Sequence, residues 1–126
     1  MYGYKKQLSY SFDETVNKVR EELKKEGFGI LTEINVKETL KKKLDVDFDN
    51  YIILGACNPP FAYQTLLAER DIGLLLPCNV IVYEENGKCY VSAILPTVAM
   101  NMVDNEKIKP IALEVEQKLK KVIDNL

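Results

Sequence analysis

From residue 2 to residue 10 the chain alternates. Tyr2, Tyr4, Leu8 and Tyr10 fall on one face, with Gly3, Lys5, Gln7 and Ser9 on the other, which predicts a half-buried strand. Ser11 and Glu14 then form an S-x-x-E capping box, and Phe12, Val16, Val19 and Leu23 follow at helical spacing. Gly27 supplies the residue that takes up the left-handed conformation just past a helix end. Phe28 to Ile34 reads as a second strand with Phe28, Ile30 and Ile34 on one face. Asn35 and Glu38 repeat the capping pattern ahead of a short helix, Val36 to Lys43, whose Lys41-Lys42-Lys43 run is a solvated face.

After a polar turn at 45–50, Tyr51 to Cys57 is apolar on both faces, as a central strand requires. Asn58 stands where a helix cap belongs, and Pro59 suits the first helical position of a segment running to about Glu69. An apolar connection from Ile72 leads to Pro77. Two strands, Asn79 to Glu85 and Lys88 to Leu95, then flank Asn86-Gly87, the dipeptide that accepts the two positive φ angles of a type I′ hairpin. A two-residue loop sets the register, with Tyr83 opposite Tyr90 and Val82 opposite Val91. Glu106 to Asn125 is a last helix, with Ile108, Ile111, Val115, Leu119 and Val122 on one stripe.

The expected fold class is therefore α+β. It is a mainly antiparallel sheet of about five strands, with two long helices on one face, in the order β-α-β-β-β-β-α with two short inserted helices. Ile81, Tyr83 and Tyr90 fall on the side opposite Val80, Val82, Val91 and Ala93, so both faces of the hairpin carry apolar groups. The face without helices calls for a cover, and a homodimer partner or a small-molecule ligand is the natural one.

Composition narrows the function. A chain of 126 residues fits one domain, 1–126, with a single core. A net charge of −2 gives no field that would gather nucleic acid or an anionic membrane surface, so neither is expected as a partner. The N-terminus carries no signal-peptide run, and the apolar stretches are too short to cross a bilayer, which predicts a cytoplasmic protein. Three cysteines, Cys57, Cys78 and Cys89, are then expected as free thiols. The chain has no histidine. That removes Ser-His-Asp and Cys-His catalysis and every imidazole metal site, and two thiolates alone do not complete a metal centre. No metal and no cofactor are expected.

The chemistry that remains lies at two Cys-Asn pairs. Gly55-Ala56-Cys57-Asn58-Pro59-Pro60 and Leu75-Leu76-Pro77-Cys78-Asn79 each place such a pair where a strand meets a loop. A thiol beside a helix N-terminus feels the positive end of the helix dipole, which favours thiolate and singles out Cys57. If the two strands are neighbours, Cys57 and Cys78 share a small site with Asn58 and Asn79 as polar handles. The structural reading stands beside this: cysteine packs as a small hydrophobe, Asn58 caps its helix and Asn79 closes a turn. Cys89, on the hairpin, is structural. Glu69-Arg70-Asp71 reads as a solvated turn. Gly27-x-Gly29 lacks the third glycine of a phosphate-binding loop.

Three blocks at these separations, Gly27 to Ile34, Leu54 to Pro59 and Gly73 to Val80, resemble the family known as domain of unknown function 302, over nearly the whole chain. The resemblance implies an α+β fold of TATA-binding-protein-like architecture in small prokaryotic intracellular proteins, often dimeric. It implies no activity. By motif match it points to Cys57, Asn58, Pro59, Cys78 and Asn79 as a candidate site. The expectation is a homodimeric binding module with a small-molecule or thiol-linked site at these turns. The alternatives are a cysteine-dependent redox or transfer enzyme using Cys57, and a structural or regulatory dimer without a pocket.

Overall fold

A computed structural model describes residues 1–126. The elements are β1 (Gly3–Leu8), α1 (Phe12–Lys25), β2 (Gly29–Asn35), α2 (Val36–Leu44), β3 (Tyr51–Cys57) and α3 (Pro59–Ala68). A 3₁₀ turn (Arg70–Leu75), β4 (Cys78–Glu85), β5 (Lys88–Ile94), α4 (Pro96–Ala99) and α5 (Ile108–Asp124) complete the chain. The five strands form one antiparallel sheet in the order β1-β5-β4-β3-β2. The fold is α+β, with the helix and strand order read from the sequence. The additions are α4 and the 3₁₀ turn.

Local chemistry explains the boundaries. Ser11 Oγ accepts from the Glu14 amide at 3.2 Å, and the Glu14 carboxylate accepts from the Ser11 hydroxyl rather than from the backbone N–H of a full capping box. At the other end of α1, Phe28 N donates to Leu23 O and Gly27 N to Lys24 O, with Gly27 at φ +85°. This is the Schellman closure that needs a residue tolerant of positive φ. Asn35 caps α2 through the Glu38 amide at 3.0 Å. Asn86 and Gly87 take φ +52° and +76°, and the register pairs Tyr83 with Tyr90 and Val82 with Val91.

The second strand departs from its pattern. A β-bulge between Ile30 and Thr32 leaves Leu31 as an extra residue, so the alternation inverts beyond it. Ile30 keeps to the core side, but Ile34 pairs with Ile53 and is exposed. Glu33 turns instead to the helix side and forms an ion pair with Arg20 of α1. A one-residue insertion moves every later side chain to the other face, which is why Phe28, Ile30 and Ile34 do not share one.

The core lies between one sheet face and the helices. Val16, Val19 and Leu23 of α1 and Val115, Leu119 and Val122 of α5 pack on Leu54, Val80, Val82, Val91 and Ala93. A fully buried aliphatic side chain of this kind contributes about 1.5–3 kcal/mol. A smaller cluster, Ile72, Met100, Ile108 and Ala112, joins the 3₁₀ turn and α4 to α5. Within it lies a polar tie: Glu116 of α5 is buried and accepts from Thr97 N at 3.1 Å and Thr97 Oγ1 at 2.6 Å, which fastens α4 down.

Candidate functional site

β3 and β4 are neighbours, with Ala56 opposite Cys78 and Gly55 opposite Asn79. The pairing brings the two turns side by side. Gly55 is the point where they touch: a β-carbon there would collide with Thr32 Oγ1 and come within 2.7 Å of Pro77 Cγ. Only glycine leaves room for Pro77 to deliver Cys78 into β4. A cis peptide bond links Leu76 to Pro77.

Cys57, Asn58 and Cys78 line one apolar cavity, together with Phe61 and Thr65 of α3 and Val115 of α5. Its volume is about 30 Å³, the space of roughly one water molecule. Asn79 is not part of it. As the second residue of β4 it points away from Cys78 by strand alternation and is exposed. Pro59 occupies the first turn of α3, exposed and outside the cavity.

Asn58 occupies the N-cap position of α3, but its side chain makes no capping bond. Its amide Nδ2 donates to Glu26 O at 3.1 Å, and the group packs 3.3 Å from where a β-carbon on Gly27 would be. The expected cap is therefore a cross-brace. It satisfies a carbonyl at the end of α1 and ties that end to the β3–α3 turn. α3 starts without it, through Pro59 at the first turn and the Ala62 N to Asn58 O bond.

The thiols are not activated. Burial pushes Cys57 above its ordinary value, the reverse of the lowering expected for a thiol beside a helix start. Cys78 is pushed up to about 11, first by burial and then by the charge of Cys57 beside it. Both are neutral thiols at neutral pH. Cys89 is buried in the core, its sulfur donating to Thr15 Oγ1 at 3.5 Å. No disulfide joins any of the three.

A second, larger hollow adjoins the first. It lies between α4 and α5, is lined by Thr97, Asn101, Val103, Ile108 and Leu113, and has a volume of about 270 Å³. Met100 and Ala112 line both spaces. Sequence reasoning missed this hollow because α4 is a single turn too short to show a period. The Pro96-Thr97 start was the available signal.

Small antiparallel α+β domains of this kind serve many roles, and the comparisons set this one among its relatives. Residues 4–126 match the model of the family described as Domain of unknown function DUF302. The chain belongs to that family. It is similar to an uncharacterized conserved DUF302 protein from Bacillus stearothermophilus, known from a crystal structure. The two share 35% identity and a TM-score of 0.92, over 98% of this chain and 97% of that one. No curated protein matches the chain. No helix is long and apolar enough to cross a membrane.

Proposed function

We propose that the chain is a binding module for a small molecule with an apolar body and a polar end, held between α4 and α5 with its apolar tip toward Cys57 and Cys78. The observation that carries this reading is the shared wall. Met100 and Ala112 stand between the thiol cavity and the α4–α5 hollow. The two spaces together come to about 300 Å³, the lower end of the range of ligand sites. Methionine is the side chain best suited to such a partition, because three rotatable bonds let it turn aside without backbone movement. The inner walls are aliphatic and aromatic, whereas Asn101, Thr97 and Lys109 stand at the outer hollow and suit a polar or anionic end. Neutral thiols beside the ligand tip fit binding better than nucleophilic catalysis, which requires thiolate. Three thiols without a disulfide fit the reducing cytoplasm.

Anilinonaphthalene sulfonate, an aromatic body with an anionic end, is a suitable probe. Saturable one-to-one binding that slows alkylation of Cys57 and is lost in Ala112→Leu is the expected result. Absence of saturable binding at millimolar probe, or binding indifferent to Ala112→Leu, would refute the reading.

A further inference from the structure

We propose that the groove on the sheet face turned away from the helices binds a linear polyamine, an aliphatic chain carrying two or more ammonium groups. The groove has a volume of about 660 Å³, within the range of small-molecule sites. Pairing register grades the face it lies on. Tyr51, Tyr83 and Tyr90 stand side by side in one row, their rings stacked at 5.3 Å in both steps. Ile53, Ile81 and Ser92 form the next row, which Lys5 closes. On the far side of the tyrosines, Asp49 precedes Tyr51 by two residues and Glu84 and Glu85 follow Tyr83. All three carboxylates line the groove, and none forms an ion pair. Asn50 Nδ2 donates to Glu84 Oε1 at 2.6 Å, which holds that carboxylate at the margin without neutralising it. With the amine of Met1 counted beside Lys5, the groove still carries more negative than positive charge.

Lys5 shows what this face holds. Its stem starts in the isoleucine row, and its Nζ reaches the tyrosines, donating to Tyr83 Oη at 2.8 Å. There it lies 5.4 and 5.7 Å from the ring centres of Tyr83 and Tyr90, within reach of a cation–π contact. The other end of the row repeats the setting without the cation. Tyr51 has Ile53 in the row below it, Asp49 beyond it, and Phe48 beside it at 6.3 Å and a tilt of 47°. No lysine or arginine lies over Tyr51 or Phe48. An ammonium on a methylene stem matches all three layers: isoleucine takes the stem, the ring faces take the cation and the carboxylates take its charge. A second ammonium answers the carboxylates that one leaves unmatched. A bare divalent cation needs converging oxygens, and no group of three carboxylates converges here. Nucleic acid would meet like charge. The groove shares no residue with the thiol cavity or the α4–α5 hollow, so this site stands apart from the one proposed above.

Isothermal titration calorimetry with spermidine at physiological ionic strength is expected to show one saturable site per chain. Magnesium ion and a straight-chain diol of similar length, the one charged without a stem and the other a stem without charge, should not compete. Both of these arms use the unaltered chain and need no variant to fold. Tyr51→Leu keeps apolar area and removes the ring face, and should weaken binding about fivefold. Asp49→Asn should weaken it about threefold. Glu21→Gln removes an exposed carboxylate of α1, outside the groove, and should leave it unchanged. Absence of saturable binding at millimolar spermidine overturns the proposal. So does displacement of spermidine by an equal concentration of magnesium, or binding that Tyr51→Leu leaves unchanged.

Discussion

At the end of β3, Cys57 and Asn58 both turn toward the space under α3. At the start of β4, Cys78 turns inward and Asn79 turns out to solvent. The two pairs have the same composition, and pairing register separates them. Asn79 lies within a strand, so alternation alone sends it to the face opposite Cys78. Asn58 lies just past a strand, where the chain bends, and its amide reaches back 32 residues to Glu26 O. A polar residue between strand and helix is free to seek a distant partner, and one inside a ladder is not.

The comparison breaks most severely at Gly55, where the two turns meet. Gly55→Val should cost about 3 kcal/mol in urea denaturation, because the added carbons drive into the Thr32 side chain and the closed ring of Pro77. Next comes the Cys78 thiol, whose folded-state value of about 11 lies above the ordinary 9.0. Between these values the unfolded chain ionises first, so the thiol's contribution is whole below about pH 9 and lost as pH rises through about 11. Stability measured from pH 8 to 11 should fall about 2 kcal/mol further in the natural chain than in Cys78→Ala.

The asparagines sharpen the contrast on a smaller scale. A capping asparagine tolerates aspartate, whereas a donating one does not. Asn58→Asp sets a carboxylate against the Glu26 carbonyl and should cost about 1.5 kcal/mol, and Asn58→Ala about 1 kcal/mol for the lost bond. A neutral Asn58→Asp would restore the capping reading. Asn79→Ala, at an exposed site with no partner, should stay within about 0.5 kcal/mol by the same denaturation.

Much of this frame was legible in the residues because its determinants are local. Asn86-Gly87 sets its own turn and therefore the Tyr83–Tyr90 register. Ser11, Asn35 and Gly27 close helix ends within four or five residues of themselves. The candidate site was legible to the extent that strand adjacency could be foreseen: Cys57 and Cys78 meet because β3 and β4 pair. What escaped depends on distant partners or on elements shorter than a period. The Asn58 bond to Glu26 belongs to the packing of α1 against the β3–α3 turn, and no short-range pattern encodes it. Glu116, charged and on a helix, reads as surface until Thr97 of α4 is placed over it. The bulge at Leu31 is a single inserted residue in a strand whose apolar spacing looked regular.

That bulge has a consequence for how the molecule behaves in a crowded solution. β2 is an outer strand of the sheet, and its free backbone groups would otherwise form a straight template for strands of other chains. The extra residue twists the strand and breaks the even spacing of donors and acceptors, and α2 starts directly after Asn35 and curtails it. Fibrillar stacking through this border is thereby discouraged, even with Leu31 standing in water. Deleting Leu31 would restore a regular margin and, with it, a surface on which the chain could polymerise.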